Sequence, residues 1–283
     1  MEKKKVKLLS IFVGILLVIF AFCFWQNNDI LTTNITHINK KIPDSFNGYK
    51  ILQVSDLHSK EFGENNKNLI KKIKDAKPDV IVITGDLIDK HEKIKEGIVF
   101  ASEAIKIAPV YFVSGNHEKQ SGNYDSLKEQ LIDKKVNVLE NQKMQIEKDD
   151  EQIAIVGIKD ILFYPRPTDG SPYYQRYENK LLLLLEEKDV FTVVLSHRPN
   201  LMKIYKKCGV ELVLTGHAHG GQVRLPFIGG LYSPGQGIFP KYTKGEYKED
   251  NTTMVVSRGL GNSIFPFRIF NRPEIVNITL SNK

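Results

Sequence analysis

The first sustained apolar run in the chain, LLSIFVGILLVIFAFCFW at positions 8–25, is interrupted only by Ser10 and Gly14. Wound as a helix it rises about 27 Å, nearly the thickness of a bilayer core, and it has no polar face that would mark a helix half buried in a soluble domain. Lys3, Lys4, Lys5 and Lys7 precede it. Basic residues flanking a membrane helix stay in the cytoplasm, so residues 1–7 are expected as a cytoplasmic stub and everything after Trp25 on the outer side. A cleaved signal peptide is the competing reading. Its apolar region spans about 7–15 residues and ends in small residues at a cleavage site, whereas Ala21, Phe22, Cys23 and Phe24 offer no such pattern. The expectation is therefore an uncleaved signal anchor over 8–25, a polar linker over 26–36 and one folded domain over 37–283.

Beyond the anchor the pattern changes to short β-branched runs. Those at 50–55, 80–84, 110–114, 153–158, 190–196 and 211–215 predict buried strands. Between several of them, apolar residues recur at helical spacing over 65–76, 94–107, 124–133 and 174–188. Strand and helix in alternation imply an α/β core. Toward the C-terminus, strands at 223–228, 253–257 and 274–280 follow one another without helices, which predicts a second sheet packed on the first. IFPFRIF at 264–270 reads as a buried strand, with contact to a membrane surface as its other reading. The loops at 163–174 and 226–247 are rich in Gly and Pro and are candidates for shaping a substrate pocket.

Composition narrows the class. An apolar fraction of 41% fits a packed core rather than disorder. The formal charge is +7, but the N-terminal lysines supply much of it. The remaining basic residues are scattered among acidic ones, so no nucleic-acid-binding face is expected. Of the two cysteines, Cys23 lies in the apolar run and leaves Cys208 alone. Neither a disulfide framework nor a cysteine zinc site can be built from one residue.

Candidate chemistry gathers at the strand ends. They read Ser55-Asp56-Leu57-His58, Gly85-Asp86-Leu87, Gly115-Asn116-His117-Glu118, Ser196-His197-Arg198-Pro199 and Gly216-His217-Ala218-His219. Five of the seven histidines fall in these motifs; His37 and His91 do not. Taken singly, Asp56 and Asp86 read as helix caps and Asn116 as a turn residue. Together, at equivalent topological positions, they outweigh those readings, because ligands of open α/β sheets bind outside the carboxyl ends of the strands. Imidazole, carboxylate and amide donors suit Mn, Fe or Zn, and so many donors suit two ions sharing a carboxylate such as Asp86. Such a pair makes hydroxide available near neutral pH, which points to hydrolysis at phosphorus. The spacing of His217 and His219 fits an extended strand end, where alternate side chains share a face.

The series D-x-H, G-D, G-N-H-E, H and G-H-x-H resembles the signature of the calcineurin-like metallophosphoesterases over roughly 50–222. SDLHSKEFG, SHRP and GHAHGGQ look most like its bacterial YkuE-like and YaeI-like branch of membrane-associated or exported phosphoesterases. The resemblance implies a four-layer α/β-β/α sandwich of two mixed sheets and a binuclear metal centre with Mn favoured. It implies Asp56, His58 and His219 on the first ion, Asn116, His197 and His217 on the second, and Asp86 bridging. His117 would face the substrate phosphate and help protonate the leaving oxygen.

Other chemistries lose their support. No G-x-S-x-G elbow makes Ser55 or Ser196 a nucleophile, and neither H-E-x-x-H nor a Walker phosphate loop occurs. Glu118 reads as a charged loop residue outside the site. The expected protein is a monomeric, single-pass, extracytoplasmic phosphoesterase acting on phosphate mono- or diesters, with a cell-envelope or lipid-linked substrate. Two alternatives stand beside it: a hydrolase resembling the UDP-2,3-diacylglucosamine pyrophosphatases, whose reaction is cytoplasmic, and a metal-bound protein without turnover.

Overall fold

The apolar runs at 80–84, 110–113 and 212–215 are strands covered on both faces, which is why no polar residue alternates through them. The computed structural model describes residues 2–91, 94–166, 168, 172–186, 190–263 and 265–283. Helix α1 (Glu2–Asn28) leads into β1 (Leu31–Ile38), β2 (Lys50–Val54), α2 (Lys67–Ala76), β3 (Val80–Thr84), α3 (Lys95–Ala104), β4 (Val110–Val113), α4 (Asn116–Gln120), α5 (Tyr124–Asp133) and β5 (Asn137–Val138). The second half contains β6 (Gln142–Lys148), β7 (Glu151–Gly157), α6 (Gln175–Leu184), β8 (Thr192–Leu195), α7 (Met202–Lys207) and β9 (Leu212–Thr215). Two short hairpins follow, β10 (Arg224–Leu225) with β11 (Gly229–Gly230) and β12 (Tyr232–Ser233) with β13 (Gly237–Ile238). The chain ends with β14 (Gly245–Glu249), β15 (Thr252–Val256) and β16 (Glu274–Ser281).

These strands form two mixed six-stranded sheets, ordered β1-β16-β2-β3-β4-β5 and β14-β15-β9-β8-β7-β6. Alternation of side chains along each strand sends residues to opposite faces. Ile51, Val80 and Val82 of the first sheet meet Ile155, Val193, Leu195 and Leu214 of the second in a core between the sheets. The other faces are covered by helices. Leu52, Ile81 and Phe112 pack under Leu69 of α2, Phe100 of α3 and Leu127 of α5, while Val194, Val213 and Met254 pack under Tyr177 of α6 and Tyr205 of α7. The result is the expected four-layer α/β-β/α sandwich, with an apolar N-terminal helix before it. Gln53 crosses between the sheets near their carboxyl ends, its side chain donating to Thr84 Oγ1 at 3.0 Å and to the Thr215 carbonyl at 2.8 Å.

Several expectations are corrected. Residues 26–36 do not form a free linker: α1 continues to Asn28, and Leu31–Ile38 pairs in parallel with β16 along its whole length. As an edge strand β1 buries little, in the pattern ieieieBe from Leu31 to Ile38, so its polar threonines conceal it in the sequence. Of the late strands, β15 joins the second sheet, whereas β16 inserts antiparallel to β2 in the first. Only Arg224–Leu225 of the strand expected over 223–228 is extended. Of the strand expected over 264–270, residues 265–270 are not a strand, and Phe265, Phe267 and Phe270 are exposed; Ile264 lies outside the described residues. So do 167 and 169–171 of the expected loop 163–174, and the end of the helix expected over 174–188, which closes at Leu184.

Candidate metal centre

Each expected ligand lies just beyond a strand's carboxyl end: Asp56 and His58 after β2, Asp86 after β3, Asn116 after β4, His197 after β8, and His217 and His219 after β9. The backbone there is not extended. Asp56, His58, Asp86, His217 and His219 have φ of 50°, 49°, 50°, 62° and 47°. Left-handed conformations at non-glycine residues cost on the order of 1 kcal/mol or more each and cluster at functional sites. The strand-end explanation for His217 and His219 is therefore replaced: β9 stops at Thr215, and a turn rather than alternation aims both rings inward. Close approach also requires glycine at 216, where a Cβ would stand 1.9 Å from Ser55 Oγ and 2.3 Å from Asp56 Oδ2.

The side chains converge in two groups that share Asp86. In the first, His58 Nε2 lies 3.1 Å from His219 Nε2 and 3.6 Å from Asp86 Oδ2, and His219 Nε2 lies 3.5 Å from Asp56 Oδ1. In the second, His197 Nε2 lies 3.2 Å from Asp86 Oδ2, 3.2 Å from Asn116 Oδ1 and 3.0 Å from His217 Nδ1. One ligand atom from each of Asp56, His58, Asp86 and His219 falls within 4.8 Å of the others, as do those of Asp86, His197 and His217. All seven residues are buried.

The chemistry of these donors fits cations. Two imidazole nitrogens 3.1 Å apart place lone pairs against each other unless a proton or a metal ion lies between them. His197 Nδ1 donates to the Thr84 carbonyl at 2.8 Å, which leaves its Nε2 facing Asp86 as a ligand atom. Burial opposes a charge on His197, but Asp86 outweighs it and raises the pKa to about 10, so the cluster calls for positive charge at this point. Burial, reinforced by His197, holds His217 well below the ordinary histidine range, and burial reinforced by His58 does the same for His219. Both are thus neutral imidazoles, the form that binds metal.

His117 stands beside the first group, its ring edge-on to His58 with centroids 4.4 Å apart. With 12% of its side chain exposed it is more open than His58 or His197. Its Nδ1 receives the Lys90 N–H at 3.2 Å and lies 3.3 Å from Asp89 Oδ2. Burial lowers its pKa to about 4, against the raising effect of Asp86.

Three supporting residues escaped the sequence reading. Asp89 follows Asp86 by three positions and reaches both His58 Nδ1, at 3.5 Å, and His117; an acidic residue in the loop after a ligand was its only signal. Glu118 is not a surface charge: its carboxylate accepts the amides of Asp86 at 2.9 Å, Ile88 at 3.2 Å and Gly115 at 2.6 Å. Burial raises its pKa to about 7 although those amides favour the ionised form. Asp160 takes Arg198 Nε and Nη2 at 2.6 and 3.1 Å, and Arg198 Nη1 lies 3.3 Å from His217 Nε2. Ser196, by contrast, is tied between Tyr177 and Tyr205 hydroxyls at 2.8 and 2.7 Å and is no nucleophile.

Comparison with known proteins agrees with this geometry. The model of the calcineurin-like phosphoesterase family matches residues 49–221, which contain all the residues of both groups. The uncharacterized metallophosphoesterase YkuE of Bacillus subtilis is 30% identical over 259 residues, covering 89% of this chain and 86% of its own length. Phosphodiesterase YaeI of Escherichia coli is 27% identical over 82% of either chain. A transmembrane protein with metallophosphoesterase domain from Danio rerio is 28% identical over 85% of this chain and 55% of its own. With its four layers, its paired clusters around one shared aspartate and this match over more than half its length, the chain belongs to the calcineurin-like phosphoesterases, a family of phosphoester hydrolases.

Proposed function

We propose that the protein is a membrane-anchored, two-metal phosphoesterase whose catalytic domain faces the extracytoplasmic side and cleaves phosphate mono- or diesters. The observation that carries this reading is the convergence of seven buried donors on two groups that share Asp86. Asp56, His58 and His219 would hold one ion, Asn116, His197 and His217 the other, and Asp86 both. Bound there, a pair of divalent ions, with Mn favoured over Fe or Zn, supplies an activated water and neutralises charge on the phosphoryl oxygens.

The chain's own residues do the rest. The Lys90 N–H, donated to Nδ1, orients His117, and the Thr84 carbonyl orients His197. With its pKa near 4, His117 is neutral before substrate arrives; a negative phosphoester raises the pKa and equips the ring to donate to the leaving oxygen. Ser196, held by the Tyr177 and Tyr205 hydroxyls, takes no part. Anchoring is supported by the exposed apolar run within Lys3–Asn28, which reaches a mean hydropathy of 2.8, and by the transmembrane relative. The lysines before it orient the domain outward.

The test is hydrolysis of chromogenic mono- and diesters by the purified full chain after chelation and re-addition of Mn, Fe, Zn or Mg. Restoration by a transition metal at two ions per chain is expected. Two bound ions without turnover would instead establish a binding protein. In intact cells, a tag after Lys283 should be cut by added protease; protection reverses the orientation.

A further inference from the structure

The two loops that leave the metal cluster on its C-terminal side carry large apolar side chains into solvent. On the first, which starts after His219, Phe227 is fully exposed, Ile238 is 74% exposed and Phe239 66%. On the second, Phe265, Phe267 and Phe270 are 42%, 50% and 54% exposed. The loops are joined: Val223 bridges Ile269, and the Arg224 N–H donates to the Ile269 carbonyl at 3.0 Å. Exposed apolar residues scattered singly need no explanation, but an adjoining group of large ones marks an interaction surface.

What covers this surface follows from its attachment to α1. Phe22, near the end of the apolar run, packs edge-on against Phe270 with centroids 5.5 Å apart. Gln26 Oε1 accepts the Asn271 N–H at 3.2 Å, and Asn27 Oδ1 accepts the Arg268 N–H at 3.0 Å. Arg272 lies over the Trp25 ring at 5.0 Å, the pairing of an aromatic and a cation suited to a headgroup layer. The second loop is thereby tied to the end of α1, and the first loop is tied to the second.

The same loops touch the ligands. Asn271 Nδ2 donates to the carbonyl of His219 at 2.7 Å and to that of Gln222 at 2.8 Å, and the Gly261 N–H donates to the Asp56 carbonyl at 2.6 Å. Resting on the membrane anchoring proposed above, we infer that these aromatics seat in the headgroup layer and bring the metal cluster to the bilayer surface. Its substrate class is then a phosphoester borne by a lipid in that leaflet. Interfacial aromatics gain affinity in proportion to the apolar area they bury in the bilayer.

The test uses the full chain in phosphatidylcholine–phosphatidylglycerol vesicles. Trp25 is the chain's single tryptophan, so Phe239→Trp on a Trp25→Phe background gives one reporter. Brominated lipid should cut its emission roughly twofold while aqueous iodide does little, as for a ring about 5–10 Å deep. Quenching by iodide, or shielding from both quenchers as a second copy of the chain would produce, overturns the docking. Separately, Phe227→Ser/Phe239→Ser should leave turnover of a soluble chromogenic diester unchanged and reduce turnover of vesicle-borne phosphatidic acid or phosphatidylglycerol about tenfold, since both solvent-exposed rings serve to seat the chain in the headgroup layer and are not among the residues of the metal cluster. An equal effect on both substrates, or hydrolysis of the soluble ester with neither lipid attacked, overturns the substrate class. Loss of all hydrolysis in the metal-loaded unaltered chain refutes the phosphoesterase reading and leaves the quenching result to judge the docking alone.

Discussion

The amides of Asp86, Ile88 and Gly115 converge on the Glu118 carboxylate, which lies wholly out of solvent. Its oxygens take backbone amides, that of Asp86 among them, and so hold the turns that aim Asp86 and Asn116. Glu118→Gln keeps the volume but sets an NH2 group against at least one of those amides. Leaving a buried donor unsatisfied costs about 1–3 kcal/mol, and disturbing the support of a ligand typically weakens metal binding about 10–100-fold. Thermal unfolding of the chelated variant and a metal titration should show both losses; a variant equal to the parent in both would reduce Glu118 to filler. GNHE in the sequence exposed Asn116 and His117 because their side-chain chemistry is that of a site. The role of Glu118 was hidden, since a carboxylate that caps backbone amides and one that faces water are the same letter.

Among the elements, β1 shows the same limit in another form. LTTNITHI carries too few apolar residues to announce a strand, and only its place beside β16 orders it. Its buried residue is His37, whose ring lies 5.8 Å from that of Phe191 across the inter-sheet core. Burial first, then Lys248, lowers the His37 pKa to about 4. Between the unfolded value of 6.5 and this folded value the unfolded chain binds a proton that the native chain does not. Stability therefore falls as pH drops from about 6.5 to 4, by up to about 3 kcal/mol, and this contribution is constant outside that window. Replacing His37 by Phe should flatten that part of the unfolding profile. An unchanged profile would locate the acid sensitivity elsewhere.

At the scale of the molecule, the ligand set draws on both sheets. Asp56, His58, Asp86 and Asn116 follow strands of the first; His197, His217 and His219 follow strands of the second. Ions held between them would staple the two halves of the sandwich at the end where Gln53 already crosses. Metal at about 100-fold its dissociation constant should add about 2.7 kcal/mol per site, or several degrees in Tm for a chain of this size. Calorimetry with and without chelator reads this directly. An unchanged Tm would mean that the sites do not tie the sheets together.

The sequence by itself determined the apolar helix, the α/β alternation and which strand ends carry donor-type side chains, because periodicity and side-chain chemistry are local properties written in single residues and their spacing. Only the tertiary structure decided which sheet β1 and β16 join, that Asp89, Glu118, Asp160 and Arg198 support the cluster, and that Phe265, Phe267 and Phe270 face outward beside α1. Those outcomes depend on partners remote in sequence, as in the contact of Asn27 with Arg268, 241 positions apart, and no local pattern encodes them.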